Sequence, residues 1–393
     1  MRNLPQHNQC TGCGACVNAC PKACICMEAD TEGFLYPSID VTKCVQCGLC
    51  EKACPVLGEE RKTENIKAYA IHNQDADVVA QSSSGGVFTA LAKQVMQQGG
   101  VVYGAALQAD LSVKHQRAET EAAVAAFRGS KYVQSDVGDV YKWAKQDLAD
   151  GRKVLFSGTP CQVAALRRYL GRDYENLLSV DIICHSVPSP KVWQQFLNEL
   201  QKRENRKITK VNFRDKRDGW QRYLFWARLE DGGEVLEKGA DNVYMRAFLN
   251  GLSTRSSCYG CKFKGVNRSS DLTLGDFWGV ETVYPEAYHE AGTSLVLVNS
   301  TKGQAALDML ADELMVQSVD MSAALVQNEA YWKPSEPHRN REKFFAQLGQ
   351  VEMDELVKKL LAPTLKERMR QAWYKSLVRR ALRKVYRMVL KKG

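Results

Sequence analysis

Cys10-Thr-Gly-Cys13-Gly-Ala-Cys16-Val-Asn-Ala-Cys20-Pro21 and Cys44-Val-Gln-Cys47-Gly-Leu-Cys50-Glu-Lys-Ala-Cys54-Pro55 share one spacing, C-x2-C-x2-C-x3-C-P, and that repeat decides how the chain begins. Three thiolates on one tight loop cap three irons of a cube, and the intervening glycines let the backbone wrap close to the sulfides. The fourth cysteine is expected to open a helix pointing the other way and to serve the other cube. One [4Fe–4S] cluster therefore takes Cys10, Cys13, Cys16 and Cys54, and a second takes Cys44, Cys47, Cys50 and Cys20. Pro21 and Pro55 turn the chain after each fourth ligand. A zinc module is the competing reading, but zinc needs only paired cysteines and rarely shows two quartets with a trailing Cys-Pro. Cys24 and Cys26 fall outside both quartets and read either as spare buried thiols or as alternative ligands.

This pattern resembles the bacterial two-cluster ferredoxin and is assigned to residues 1–60. Ten of the 14 cysteines lie between residues 10 and 54, which in a chain of 393 residues speaks for metal rather than a disulfide framework. The remaining length allows one further large domain or two modest ones. No uninterrupted apolar run reaches the ~18 residues of a membrane span. The amino-terminal residues lack the apolar core of a secretory signal, so a cytoplasmic protein is expected. The net charge of +9 is concentrated at one end: residues 365–393 carry eleven Lys or Arg and one acid, a sum of +10, leaving −1 for the rest.

After a polar linker, Gly58–Asn65, strand and helix signals alternate. Strands are expected at Lys67–His72, Val101–Leu107, Lys153–Phe156, Leu177–Cys184 and Thr293–Asn299, with helices at Gly85–Gln97, Gln162–Tyr169 and Lys302–Leu314. Tyr223–Leu229 and Glu234–Glu237 flank Asp231-Gly232-Gly233 and read as a β-hairpin. The fold class is accordingly α+β / α/β: the cysteine module (1–60), a mixed-sheet α/β domain with a hairpin insertion (66–340), and a helical region (344–393).

Four cysteines lie outside the module. Cys161 follows Ser-Gly-Thr-Pro, Cys184 closes a predicted strand before His185, and Cys258-Tyr-Gly-Cys261 is a chelating pair. Two stand at strand ends where α/β proteins place their sites. Together they suffice for a third [4Fe–4S] cluster; zinc at the same residues, or a redox-active CxxC, stays open on spacing alone.

Ser83-Ser-Gly-Gly86, Gly129-Ser-Lys-Tyr-Val-Gln-Ser135, Gly158-Thr-Pro-Cys-Gln162, Cys184-His-Ser-Val-Pro-Ser189, Phe213-Arg-Asp215, Cys258-x-x-Cys261 and Asp271-Leu-Thr-Leu-Gly-Asp-Phe-Trp-Gly279 follow one another in this order. Taken together they resemble the coenzyme F420 hydrogenase/dehydrogenase beta-subunit family, over roughly residues 66–300 with the cysteine module fused in front. The resemblance implies an FAD-containing domain with its own [4Fe–4S] cluster on Cys161, Cys184, Cys258 and Cys261, exchanging hydride with a soluble carrier. The chemistry is coherent: clusters handle one electron, hydride carriers two, and a flavin both.

An anionic cofactor needs amide donors and a helix N-terminus. Ser83, Ser84, Gly85 and Gly86 before a helix supply both, unless they are a simple serine cap; Gly158 and Thr159 offer a second such site, unless they form a plain β–α turn. Lys131, Tyr132, Arg214 and Lys216 are candidate phosphate or ring contacts, with Lys131 and Arg214 preferred; solvated surface charge is the plain alternative. His185 beside a cluster cysteine is a candidate proton relay or a structural histidine, and Asp276 a candidate catalytic carboxylate or a turn residue. Leu365, Met369, Trp373, Leu377, Ala381, Val385 and Val389 recur at helical spacing among Lys and Arg, a basic amphipathic helix suited to an anionic membrane surface at the inner face, to a partner, or to packing on the body.

The functions these features allow are an iron–sulfur flavoprotein oxidoreductase with a coenzyme F420-like carrier, an electron-transfer subunit of a larger complex, or a ferredoxin-dependent reductase of a sugar- or lipid-linked intermediate. Each requires an electron-donor or acceptor protein; nothing points to nucleic acid. The chain has no G-x-G-x-x-G fingerprint for a built-in nicotinamide site.

Overall fold

The computed structural model describes residues 4–59, 63–364, 366–369 and Trp373. The cysteine module is built from two short helices, Ala15–Ala19 and Leu49–Lys52, and an antiparallel hairpin of β1 (Ile25–Ala29) and β2 (Leu35–Ile39). Each helix starts one residue after a glycine in the left-handed region, Gly14 (φ 73°) and Gly48 (φ 76°), and ends before the fourth cysteine, so Cys20 and Cys54 follow a helix rather than open one as the sequence suggested. The chain must reverse there to bring the third cysteine of each triplet back toward the first two, a conformation that side chains with a Cβ resist.

The large sheet runs β3 (Lys67–Asn73), β4 (Val101–Leu107), β5 (Val113–Ala118), β6 (Val154–Gly158) and β7 (Leu177–Ile182) along the chain. A second sheet interrupts it, formed by β8 (Ile208–Asp215), β9 (Leu224–Leu229) and β10 (Glu234–Lys238), before β11 (Leu272–Asp276), β12 (Ser294–Val298) and β13 (Leu314–Val319) return to the first. The eight strands lie in the order β13-β3-β12-β11-β7-β6-β4-β5. The central pairs β4–β6, β6–β7 and β7–β11 are parallel and the outer pairs antiparallel. The architecture is the mixed α/β sheet expected, behind its cysteine-rich module and followed by helices Arg341–Gln347 and Met353–Leu361.

Strand alternation divides the core. Val102, Ala106, Leu155 and Leu178 face the helix Val87–Gln97, while Val101, Tyr103, Val154 and Phe156 face the helices Val140–Ala149 and Pro160–Leu170. Ala15 and Ala53 of the cysteine module join that second cluster, so the module packs directly on the large sheet's helices. The docking is also polar: the Tyr141 hydroxyl donates to the Cys13 carbonyl at 3.0 Å, and Asn18 Nδ2 to the Gly138 carbonyl at 2.7 Å.

Two elements differ from the sequence expectation. The hairpin of β9 and β10 gains β8 and becomes a separate sheet, covered by Trp193, Phe196, Tyr244, Phe248 and Met353. The helix expected over Lys302–Leu314 ends at Asp308, and Leu314 opens β13 against β3. Leu307, Leu310 and Leu314 are buried at helical spacing, but in β13 only Leu314 and Val319 are buried. An edge strand so sparsely apolar carries no period-two signal. Of the amphipathic basic stretch, only residues 366–369 and Trp373 are described, with Met369 and Trp373 exposed; the rest lies outside the described residues. Among the described residues no helix is long and apolar enough to cross a membrane.

At the carboxyl end of β7 a fully buried ion pair ties that strand to the segment before β11. Arg268 Nη1 lies 3.3 Å from Asp181 Oδ2, neither side chain exposed, and the Thr273 hydroxyl donates to Asp181 Oδ1 at 2.6 Å. Removing one partner of such a pair leaves an uncompensated charge in the core. Arg268→Met is expected to destabilise the fold by about 3–5 kcal/mol, read as a lower urea midpoint; an unchanged midpoint contradicts the assignment.

Candidate functional site: thiol sets beside a cavity

The cysteines converge in three places. Cys10, Cys13, Cys16 and Cys54 form the first set: charge on Cys10 or Cys54 is felt by both Cys13 and Cys16. The second set, Cys20, Cys44, Cys47 and Cys50, lines a cavity of about 20 Å³. Cys24 lines it as well, its sulfur 3.3 Å from that of Cys20, whereas Cys26 is exposed on β1. The third set, Cys161, Cys184, Cys258 and Cys261, surrounds a cavity of about 30 Å³. Cys161 lies in the first turn of Pro160–Leu170, Cys184 two residues past β7, and Cys258 in the 3-10 turn Ser256–Gly260. Cys161 and Cys261 pack in one cluster with Cys54, so the first and third sets are neighbours.

Burial pushes the Cys13, Cys161, Cys184 and Cys258 thiols up to about 12, so as bare groups they are protonated. A thiolate at these depths requires a cation, which is the role iron plays in a cluster. Among the described residues no three His, Cys, Asp or Glu side chains converge tightly enough to hold a single metal ion. Thiols around a cube stand farther apart than around one ion, because each binds a different iron. The two donor sets of the cysteine-rich module fit clusters.

Next to the third set opens a cavity of about 580 Å³, at the carboxyl ends of β6, β7 and β11. Cys161, Cys184, His185, Ser186 and Val187 line both cavities. The large cavity collects Ser83, Ser84, Gly86, Lys131, Gly158, Thr159, His185, Arg214 and Asp276 from distant parts of the sequence. Gly85 does not line it; a Cβ there would meet the Ile71 carbonyl oxygen at 2.3 Å, so this glycine lets the loop press against β3. Two helices start at the cavity wall, Val87–Gln97 after Gly86 (φ 85°) and Pro160–Leu170 after Thr159. The Thr159 N–H is taken by Gln162 Oε1 at 2.9 Å.

The charged groups are largely paired. Arg214, buried at the cavity wall, places Nη1 2.9 Å from Asp276 Oδ2 and lies over the rings of Tyr223 and Trp278. Asp276 also accepts from Trp220 Nε1 at 2.9 Å, so its carboxylate is held rather than free. Lys131 donates to the Ala126 and Arg128 carbonyls, both at 2.8 Å, and burial lowers its pKa to about 7. Lys216 is not part of the lining; its ammonium donates to the Val79, Ser84 and Ala291 carbonyls and so braces the serine loop from behind. Burial, followed by the Lys264 charge, holds the His185 pKa below its ordinary value. Thr11 Oγ1, Thr89 Oγ1, Arg128 Nε, Gln134 Nε2 and Arg214 Nε are buried without a hydrogen-bond partner, and all five residues line this cavity. Orphaned polar atoms concentrated around one cavity fit a polar ligand in it.

Sequence reasoning missed His115, Thr11 and Gln134 in this wall. His115 sits on edge strand β5, Nδ1 2.7 Å from Ser135 Oγ and Nε2 3.2 Å from the Ser157 carbonyl. Its signal was faint, a polar residue on the inward side of Val113-x-His115.

Three family models match the chain. Residues 9–57 match a 4Fe-4S dicluster domain, residues 68–142 the coenzyme F420 hydrogenase/dehydrogenase beta subunit N-terminus, and residues 151–323 its C-terminus. The chain belongs to the coenzyme F420 hydrogenase/dehydrogenase beta-subunit family. It is thus an oxidoreductase-family chain with an iron–sulfur dicluster domain in front; residues 9–57 carry the first two thiol sets, residues 151–323 the third, and residues 68–142 contain no cysteine. Among solved structures it is similar to a chain of the xenon-derivatised F420-reducing [NiFe] hydrogenase complex from Methanosarcina barkeri, at 17% identity and a TM-score of 0.46, covering 68% of this chain and 89% of that one. Comparison with curated proteins finds no match.

Burial lowers the His115 pKa from 6.5 to about 4. Between these values an unfolded chain takes up a proton at this ring and the folded one does not, so folded-state stability falls as pH drops from 6.5 toward 4. The full loss is on the order of 3 kcal/mol. Urea titrations across this interval are expected to show a steeper loss in wild type than in His115→Gln; equal slopes would remove the assignment.

Proposed function

We propose that this chain is an iron–sulfur flavoprotein oxidoreductase. Clusters sit on the two quartets of the cysteine-rich module, a third on Cys161, Cys184, Cys258 and Cys261, and FAD in the large cavity. The observation that carries the reading is the position of Cys161, which packs against Cys54 of the first set on one side and lines the cavity on the other. Bound there, FAD supplies the exchange between single electrons and hydride that neither clusters nor hydride carriers accomplish alone.

The chain's own residues have definable tasks. The amides at Ser83, Ser84 and Gly86 and the start of Pro160–Leu170 offer donors and positive helix ends to an anionic group. Arg214, held by Asp276 and flanked by Tyr223 and Trp278, presents a fixed cation with a free Nε. Lys131 is engaged by backbone carbonyls, so its task is to hold its own loop as well as to contribute charge. His185, kept neutral between the third thiol set and the cavity, can hold or pass a proton at its ring nitrogens. Family membership makes a deazaflavin of the coenzyme F420 type the first carrier to assay. Because the family is named for a beta subunit, a second reading is an electron-transfer subunit that reaches its full activity only with a partner polypeptide.

Cys161→Ser tests the central position. Anaerobically prepared variant is expected to retain flavin while viologen-driven reduction of a deazaflavin acceptor falls at least tenfold. Wild-type protein without flavin, or a variant with undiminished viologen-driven rate, would overturn the reading. Wild type that carries flavin but reduces the acceptor only after addition of a partner would favour the subunit reading.

A further inference from the structure

Arg255 is fully buried, yet no carboxylate pairs with it among the described residues. Its donors go to neutral groups: Nε to the Cys10 carbonyl at 2.9 Å, Nη2 to the Leu35 carbonyl at 3.1 Å, and Nη1 to Gln134 Oε1 at 3.4 Å. The guanidinium lies over the Tyr36 ring, 3.9 Å from its centroid. The other fully buried cation, Arg268, has its Asp181. Neutral acceptors and a ring face soften the burial of a charge but do not neutralise it, and an isolated buried ion is costly enough that proteins pair it. A counter-charge is therefore missing from the protein's own side chains.

The surroundings say where it lies. Arg255 belongs to the large domain, its own carbonyl accepting from the Cys258 N–H at 3.0 Å. Its side chain crosses to the cysteine module and donates to the loop that carries the first triplet, and it also lines the cavity of the third set, so it stands between the two sets. A Cβ at Gly12 would stand 3.0 Å from its Cζ and 2.5 Å from Gln134 Nε2, so the loop tolerates nothing larger than glycine at that point. The Gln134 amide nitrogen and the Thr11 hydroxyl beside it are buried without partners. A [4Fe–4S] cluster with four thiolates is an anion, and charges and hydrogen bonds around it move its potential.

We propose that Arg255 is the counter-ion of the first cluster, held on Cys10, Cys13, Cys16 and Cys54, and the group through which the large domain sets that cluster's reduction potential. It is a positioning residue: it fixes the Cys10 loop and leaves a positive charge beside an anion that gains one more negative charge on reduction. The inference rests on the two-cluster reading of the module and is independent of the flavin.

The test is an anaerobic redox titration followed by electron paramagnetic resonance, on full-length wild type, Arg255→Met and Arg255→Lys, with iron counted on each sample. With full iron, Arg255→Met is expected to shift one cluster at least tenfold toward the oxidised state, about 59 mV more negative for a one-electron step. The second cluster, on Cys20, Cys44, Cys47 and Cys50, whose cavity Arg255 does not line, should stay in place, and Arg255→Lys should keep close to the wild-type value because the charge remains. Should Arg255→Met fail to assemble, the proposal requires that Arg255→Lys assemble, since charge alone then decides. Unmoved potentials in a fully loaded Arg255→Met, or assembly failure in both variants, would overturn it. Wild type holding fewer than about eight irons would instead remove the two-cluster reading itself.

Discussion

Charge buried without a protein partner is the constraint on which the rest of this structure depends. Four of the cysteines facing the first and third sets are so deeply buried that their thiols are pushed to about 12, and Arg255 lies among them with no carboxylate of its own. The bare thiols are neutral, but the guanidinium is not; on the proposed reading irons convert the thiols to thiolates, the guanidinium offsets the anion so formed, and the folding of the module onto the large domain brings these groups together. The docking contacts, Tyr141 to Cys13 and Asn18 to Gly138, come from the same face of the large domain that supports Pro160–Leu170 and Cys161.

The same economy shapes the large cavity. Its strong charges are already spoken for, Arg214 by Asp276 and Lys131 by two carbonyls, which leaves the site rigid and its remaining donors singly exposed. A cofactor entering such a wall meets fixed dipoles, with little side-chain entropy left to lose. The braces stand behind the lining: Lys216 holds the serine loop by three carbonyls, and Gly85 lets that loop lie against β3.

Much of this was legible in the sequence for physical reasons. The repeated cysteine spacing let the convergence of Cys20 with Cys44, Cys47 and Cys50 be read in one dimension. Val101–Leu107 reads as a strand and is one, because a strand covered on both faces is apolar throughout. β13 and β5 were not legible, since edge strands bury few residues and β5 is mostly polar. Asp276 could be picked out but not its pairing with Arg214, 62 residues away. Arg255 could not be found at all: three residues before Cys258 it looks like any surface arginine, and only the meeting of Cys10, Leu35 and Gln134 around it shows otherwise.

The most direct test of the account is iron, acid-labile sulfide and flavin determination on one anaerobically purified sample of the full chain. The account predicts about twelve irons, about twelve sulfides and roughly one FAD per chain, the content of three [4Fe–4S] clusters and one flavin. About eight irons without flavin would contradict it, leaving an iron–sulfur module attached to a cavity with another occupant.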